Sequence, residues 1–315
     1  MHWTAAYPGV SNHQRSKRLR IQGAPPGSGT RIFAISDLHV DFPVNMRWVE
    51  SVDRHCHQQD VLIVAGDVSD DLTRLGYALG KLRERFDRLF FVPGNHELWV
   101  RRCGSRDSLE KFQRIMELCR RLDVTTEPQQ IVNSGNDDAV WVVPLLSWYV
   151  TPGEGADGLY LPKPGESTNL INWADNYFVR WPDTTHDKRP ADLFLRLNEP
   201  HLSARSYAPA VSFSHFLPRV DLMLRNAHER LRLGPEPPDL HPEFNFSRVA
   251  GCTGIDTQLR HIGALVHIYG HQHRNRWRDI DGVLYVSNCL GYPSDPSSEQ
   301  ADRRGLWQVW GDSER

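Results

Sequence analysis

The chain has 315 residues, enough for one large domain or two small ones, and its 39% hydrophobic and 10% aromatic content is typical of a folded core. The 37 Lys and Arg residues nearly balance the 39 Asp and Glu residues, which argues against a protein that coats nucleic acid with a basic surface. No stretch approaches the roughly 18 uninterrupted apolar residues of a membrane-spanning helix, so we expect no membrane contact.

The first 30 residues are predicted to form a flexible tail that precedes a single domain at residues 31–315. They lack the apolar core of a secretory signal. Residues 1–36 contain several arginines and no acidic residue, so organelle targeting stays open as an alternative to a plain tail. The five cysteines form no CxxC pair, which is typical of a reduced intracellular protein without disulfides. We therefore expect a cytoplasmic protein.

Short apolar runs recur along the chain, and polar turn residues bound each of them. Their length and their β-branched and aromatic residues predict strands. The predicted strands cover residues 31–36, 61–66, 89–94, 139–146, 210–214, 264–270, 282–288 and 305–310.

Helical patterns separate the early strands, at residues 44–59, 71–87 and 106–122. This alternation of strands and helices predicts βαβ units and a partly parallel sheet. The later strands lie closer together in the sequence, which indicates hairpins. We therefore expect an α/β fold in which helices lie outside a system of mixed sheets.

Residues 147–208 interrupt this alternation of strands and helices. The stretch is rich in proline and glycine and also contains Trp148, Trp173 and Trp181 and several tyrosines. A structureless loop of this length is unusual inside a compact domain, so the stretch is either a functional cap or a disordered insertion. Its many aromatic residues favour an aromatic-rich cap that packs onto the domain.

Side chains of the kinds that bind metals follow five of the predicted strands. In chain order they are Asp37 and His39, Asp67, Asn95 and His96, His215, and His271 and His273. In an extended segment residues i and i+2 point the same way, so Asp37 and His39 can reach one ion together. Because ligands gather beyond the carboxyl ends of parallel strands, we expect the five loops to converge.

This donor set predicts a centre with two divalent metal ions. Carboxylate oxygens, an amide oxygen and imidazole nitrogens suit Mn, Fe or Zn. A bridging carboxylate can hold two such ions about 3.5–4 Å apart, and their surplus positive charge favours a phosphate ester as substrate. A hydroxide activated by the ions would be the nucleophile near neutral pH. We therefore predict a metal-dependent phosphoric ester hydrolase.

The motifs SDLHVD, GDVSD, GNHE, SFSHFLP and GHQH resemble, in kind and in order, those of the calcineurin-like metallophosphoesterases. The resemblance covers about residues 31–290. It implies a four-layer αββα sandwich of two mixed β-sheets flanked by helices, with a dinuclear metal site at the C-terminal ends of the strands. The aromatic stretch at residues 147–208 departs from simple members of the family.

The resemblance also implies a role for each motif residue. One metal ion would be held by Asp37, His39, Asp67 and His273, and a second, bridged by Asp67, would be completed by Asn95, His215 and His271. His96 would bind no metal; it would contact the phosphate, as Asn95 would, and act as general acid or transition-state stabiliser. Asp70 and Glu97 are candidates for orienting ligands.

The substrate is expected to be a small-molecule or nucleotide phosphoester. Arg274 follows a proposed ligand directly and is a candidate for binding a substrate phosphate, with a plain surface charge as the alternative. A nuclease is a second interpretation, because aromatic residues can stack bases, although the balanced charge does not favour nucleic acid. A third is a non-catalytic scaffold, because fold alone does not fix function.

Overall fold

The computed structural model describes residues 17–18, 30–101, 104–132, 139–183, 189–202, 207–236, 239, 241–295 and 305–311. These residues form the strands β1 (Lys17–Arg18), β2 (Ile32–Ile35), β3 (Val61–Ala65), β4 (Arg88–Val92), β5 (Gln129–Val132), β6 (Ala139–Pro144), β7 (Ala210–Phe213), β8 (Ala264–Tyr269), β9 (Arg276–Ile280), β10 (Val283–Ser287) and β11 (Trp307–Trp310). They form the α-helices α1 (Pro43–Ser51), α2 (Leu72–Arg83), α3 (Ser108–Arg121), α4 (Asp175–Phe178), α5 (Pro190–Leu202), α6 (Ala227–Leu233) and α7 (Thr253–His261). Short 3₁₀ turns occupy His96–Leu98, Val220–Leu222 and Phe246–Arg248.

The strands form two mixed sheets. The order in the first sheet is β1-β11-β2-β3-β4, in which β2, β3 and β4 run parallel and β11 runs antiparallel to β2. The order in the second sheet is β5-β6-β7-β8-β10-β9, with a parallel centre and the antiparallel strands β5 and β9 at its edges. Each sheet thus contains a block of parallel strands that can deliver loops to one end.

Alternate residues of the central strands enter different layers of the core. In β2, Ile32 and Ala34 pack between the sheets with residues of β6, β7, β8 and β10, whereas Phe33 and Ile35 belong to the layer that contains the helices. Because both faces of the strand are covered, every position in it is apolar. The resulting order of helices, sheet, sheet and helices confirms the predicted four-layer αββα fold.

The predicted helices are present, and the first of them is shorter than expected. Helix α1 ends at Ser51, although the pattern predicts a helix through residue 59. The side chain of Asp53 accepts hydrogen bonds from the backbone N–H groups of His55 and Cys56, at 2.7 and 2.9 Å. Such local bonds offer the backbone an alternative to helix, and here they close a turn instead.

The edge strands β5 and β9 were not predicted as separate strands. Both are short, and charged or amide side chains make up much of each, so neither is a continuous apolar run. The predicted N-terminal tail lies outside the described residues except for Lys17–Arg18 and Thr30, and Lys17–Arg18 pairs in parallel with β11.

The described parts of residues 147–208 pack onto the domain. Trp148 and Phe194 are buried, and α5 packs against α7. The side chain of Asn198 in α5 bonds both the backbone N–H and the backbone C=O of Leu146, at 2.9 and 2.8 Å. The stretch therefore supplies one of the helices that cover the second sheet.

Candidate metal centre

Five parallel strands from the two sheets end near one another and carry the predicted site residues. Strands β2, β3 and β4 precede the residues of the first three motifs, and β7 and β8 precede those of the last two; each residue lies within four positions of the strand end. Hydrogen bonds tie the loops together: the backbone N–H of His39 donates to the C=O of Asp67 at 2.9 Å, and the backbone N–H of His271 donates to the side-chain Oδ1 of Asp37 at 3.0 Å. The expected convergence of the loops is therefore present in the fold.

The side chains form two groups that share one carboxylate. The first group contains Asp37, His39, Asp67 and His273, and the second contains Asp67, His215 and His271. Within each group one nitrogen or carboxylate oxygen of every residue lies within 4.8 Å of the others. Asp67 belongs to both groups, which is the arrangement that a bridging ligand between two cations requires.

Asn95 lies beside the second group. Its Oδ1 is 3.2 Å from His215 Nε2, and its side chain is buried. The amide oxygen therefore lies beside Nε2 of His215, and a cation bound by that nitrogen could accept the oxygen as a further donor.

Five of these residues have left-handed backbone conformations. The φ angles are 52° at Asp37, 41° at His39, 55° at Asp67, 71° at His271 and 53° at His273. Each such conformation in a residue other than glycine costs of the order of 1 kcal/mol or more and persists only where the surrounding structure enforces it. Backbone strain at the candidate ligand residues is the kind that occurs at functional sites.

The buried carboxylates of the two groups are ionised and can bind cations, which would displace the proton of His273. Burial alone would raise the pKa of Asp37, but the neighbouring His273 outweighs it and holds this pKa at about 2. The same pairing, with help from Asp295, raises the pKa of His273 to about 10 against the effect of burial. Burial lowers the pKa of His271 to about 3, so this imidazole is neutral and can act as a ligand. The carboxylates are thus ionised while buried.

Glycines allow the loops to approach the candidate ligand residues closely. A Cβ atom on Gly270 would lie 2.7 Å from Asp37 Oδ2, and one on Gly94 would lie 2.7 Å from His215 Nε2 and would also overlap Asp67. Any larger residue at these positions would displace ligand atoms. The close-packed set of oxygen and nitrogen donors therefore fits a pair of divalent cations.

His96 lies at the edge of the cluster and belongs to neither ligand group. Its Nε2 is 3.8 Å from Asp67 Oδ2 and 3.2 Å from the hydroxyl of Tyr292. Its ring stacks on Trp99, with 3.7 Å between ring centroids. Burial lowers the pKa of His96 below its ordinary value. An imidazole that lies beside the ligand groups and belongs to neither of them is suited to contact a substrate.

The carboxylates of Glu97 and Asp70 accept hydrogen bonds from different kinds of partner. The buried carboxylate of Glu97 accepts hydrogen bonds from the backbone N–H groups of Asp67, Val68, Ser69 and Gly94, at 2.6–2.9 Å. It therefore fixes the backbone of two motif loops at once. The carboxylate of Asp70 instead accepts a hydrogen bond from Arg101, whose guanidinium lies over the rings of Trp99 and Phe178.

Two residues near the centre were missed by the sequence analysis. Asp295 Oδ2 is 2.9 Å from Nδ1 of His273 and also accepts from the N–H of Tyr292 at 2.7 Å. Tyr292 in turn packs on His39, with 4.4 Å between ring centroids. Both lie in the loop after β10, and no sequence motif marks them.

A third missed residue comes from the aromatic stretch. Asp175, the first residue of α4, is 2% exposed and accepts a hydrogen bond from Nδ2 of Asn95 at 2.9 Å. It also accepts from Trp99 Nε1 at 2.6 Å and from the hydroxyl of Tyr149 at 3.1 Å. An acidic residue in an irregular stretch carries no periodic signal, so only the tertiary fold reveals this contact.

The arginines after His273 hold a neighbouring segment of the chain. Arg274 Nη1 donates to Glu236 Oε2 at 2.9 Å and to the C=O of Met223 at 3.3 Å. Arg276 and Arg278 are buried; Arg276 donates to the C=O of Leu222 and Arg278 pairs with Glu229. A phosphate at Arg274 would therefore compete with Glu236, and the proposed contact stays a prediction.

Within the described residues, no helix is both long enough and apolar enough to cross a bilayer.

Comparisons with known proteins agree with the motifs. The model of the calcineurin-like phosphoesterase family matches residues 30–275. The chain is 29% identical over 285 residues to the acyl-carrier-protein phosphodiesterase PptH of Mycobacterium tuberculosis, a match that covers 85% of this chain and 80% of that protein. The crystal structure of phosphopantetheinyl hydrolase (PptH) from M. tuberculosis is similar, with a TM-score of 0.66 and 25% identity over 92% of this chain and 99% of that one.

Proposed function

The chain belongs to the calcineurin-like phosphoesterases and is a phosphoester hydrolase, and we propose that its substrate is the phosphodiester of a phosphopantetheinylated acyl carrier protein. The relative with this activity is similar over most of both chains, and the phosphopantetheinyl hydrolase structure is matched over almost its whole length. The sequence alone left monoester and diester open, and this similarity favours a diester.

The pair of ligand groups that share Asp67 is the observation that carries the proposed chemistry. Members of this family use divalent metal ions. We propose that Asp37, His39, Asp67 and His273 hold one ion, and that Asp67, Asn95, His215 and His271 hold the other. Their oxygen and nitrogen donors favour Mn, Fe or Zn. When bound, such ions supply Lewis acidity to the phosphoryl oxygens and to water.

Side chains of the protein orient the imidazole rings of the site and supply the proton for the leaving oxygen. We propose that His96, which belongs to neither ligand group, faces the phosphate with its Nε2. The anionic phosphate favours the protonated imidazole, which then donates that proton to the leaving oxygen. The stacking on Trp99 and the hydroxyl of Tyr292 fix the imidazole in that orientation. Asp295 holds the ring of His273 through Nδ1, which leaves Nε2 of His273 directed at the first ligand group.

The substrate is tested with a carrier protein that bears the phosphopantetheinyl group. Incubation with the manganese-loaded enzyme is expected to release the phosphopantetheinyl group and leave the unmodified carrier, which intact-mass spectrometry separates from the starting material. The chelated enzyme is the control and should leave the carrier unchanged.

Parallel reactions with nitrophenyl phosphate mono- and diesters and with single-stranded nucleic acid distinguish the alternatives. Hydrolysis of small diesters without action on the carrier would keep the phosphoesterase chemistry and contradict the carrier substrate. Faster and salt-sensitive cleavage of nucleic acid would favour the nuclease interpretation.

Metal binding should stabilise the protein strongly. The ligand groups bring buried carboxylates and several buried histidines together, and an ion that binds only the folded state stabilises it by mass action. An ion at 1,000 times its Kd contributes about 4 kcal/mol, which for a chain of this size raises Tm by about 6 °C. Differential scanning fluorimetry with and without manganese measures this shift. An unchanged Tm with Mn, Fe and Zn would contradict the proposed centre.

A further inference from the structure

We propose that Asp175 is a positioning residue that fixes the side-chain amide of Asn95, so that Oδ1 of Asn95 faces the second ligand group. The inference rests on the proposed two-metal function and assigns part of the centre to the aromatic stretch at residues 147–208. Asp175 touches neither ligand group directly; it acts through Asn95.

The hydrogen bonds of Asp175 define which way the Asn95 amide points. An ionised carboxylate only accepts hydrogen bonds, so it selects the NH₂ end of a neighbouring amide. Nδ2 of Asn95 donates to Asp175 Oδ1 at 2.9 Å, and this places Oδ1 of Asn95 on the other side, 3.2 Å from His215 Nε2. If the Asn95 amide were flipped, its Oδ1 would face the carboxylate of Asp175, and neither group could donate a hydrogen bond to the other. The NH₂ group of Asn95 would then point toward the second ligand group, where a cation would bind.

Hydrogen bonds to both carboxylate oxygens fix the position of Asp175. Trp99, which follows the GNHE motif, donates to Oδ1 at 2.6 Å, and the hydroxyl of Tyr149 lies 3.1 Å from Oδ2. Nε1 of Trp173 in turn donates to the Tyr149 hydroxyl at 3.1 Å. Asp175 is therefore held in one place by buried partners, as a residue that orients a ligand must be.

The aromatic stretch therefore does more than cover the site. Its residues Tyr149, Trp173 and Asp175 form a chain of hydrogen bonds that ends on Asn95. Trp173 also packs edge-on against His271, with 5.8 Å between ring centroids. Removing the stretch would thus remove the outer support of the second group together with the cap.

Asp175→Asn tests this role without a large change in shape. Asparagine accepts with one oxygen only and carries its own NH₂ group, so it no longer selects the orientation of Asn95. We expect the Kd of the second Mn²⁺ to rise by about 10–100-fold while that of the first changes by less than about twofold. Calorimetric titration of the metal-free protein gives both constants, and electron paramagnetic resonance reports the loss of the coupled ion pair.

Asp60→Asn is the matched control. Asp60 is also buried and pairs with the side chains of Arg31 and His57, but it precedes β3 and so lies at the opposite end of the strand from Asp67. This variant should lower Tm and leave both metal constants unchanged. A rise in the second Kd of the same size in the control would overturn the inference, because any loss of a buried carboxylate would then suffice.

A double-mutant cycle separates positioning from a purely structural effect. In the Asn95→Ala background the amide is absent, so Asp175→Asn should change the second Kd by less than about twofold. If the loss has the same size in both backgrounds, or if Asp175→Asn binds both ions as the unaltered protein does, the inference is wrong. Where circular dichroism shows that Asp175→Asn does not fold, Asp175→Ser enters the same cycle. An unaltered protein that binds only one ion would instead contradict the proposed function.

Discussion

Asp67→Asn is expected to abolish phosphoester hydrolysis and to leave the fold intact. Burial favours the protonated form of Asp67, but His215, His96 and His39 outweigh burial and hold its pKa well below the ordinary value. The residue is therefore a buried anion between the two groups, and asparagine removes that charge while keeping the shape. We expect kcat to fall more than about 1,000-fold, which corresponds to about 4 kcal/mol of transition-state stabilisation.

The measurement is the rate with a nitrophenyl diester at saturating manganese, together with the metal content and the far-ultraviolet circular dichroism of the same preparation. Asp71→Asn is the control four positions away. Asp71 caps α2 by accepting from the N–H groups of Thr73 and Arg74, a role that asparagine also fills. The control should keep its rate within about twofold. Near-normal turnover by Asp67→Asn would show that Asp67 does not bridge two ions.

The positions of the motif residues could be predicted because a simple rule governs them. Each follows an apolar run, and parallel strands bring their carboxyl ends to one edge of a sheet. The sequence also identifies which runs are strands, since strands covered on both faces, such as β2 and β3, are apolar throughout. The convergence of Asp37, Asp67 and His271 can thus be predicted without knowledge of any contact between residues that are far apart in the sequence.

The supporting residues could not be predicted, because tertiary contacts alone give them their roles. Asp295 is 22 positions from His273 in the chain, and Asp175 is 80 positions from Asn95. Aspartate in an irregular stretch is more often a turn residue or a helix cap, so residue type and spacing do not single out either one. The left-handed backbone at the ligands also depends on the surrounding loops, since Asp and His adopt it only occasionally.

The spacing of Arg274, Arg276 and Arg278 does not decide what their side chains bind. Arg276 and Arg278 lie two positions apart in β9 and so share one face of that strand, whereas Arg274 precedes it. The partners of these arginines, however, lie in the segment between β7 and α7, where Glu229 and Glu236 accept from Arg278 and Arg274. Neither the pairing nor the burial of Arg276 and Arg278 is visible in the pattern of the strand itself.

His96→Asn is expected to lower the rate without removing metal. Since His96 belongs to neither ligand group, both ions should bind with unchanged affinity. Loss of a positioned general acid costs about 10²–10⁴-fold in rate. The cost should depend on the leaving group: an alkyl oxygen needs a proton, whereas nitrophenolate leaves readily without one. We therefore expect kcat to fall much further with an alkyl phosphodiester than with a nitrophenyl diester.

The dependence on the leaving group decides between the two roles proposed for His96. An equal loss with both substrates would favour a stabiliser of charge on the phosphoryl oxygens over a proton donor, because only proton donation responds to the basicity of the leaving oxygen. His57→Asn is the control, since His57 packs on Phe86 and pairs with Asp60 outside the ligand groups. If His96→Asn lost an ion, or kept its full rate with the alkyl diester, His96 would have neither role, and the proton would have to come from another group at the edge of the cluster, where the Tyr292 hydroxyl lies 3.2 Å from Nε2 of His96.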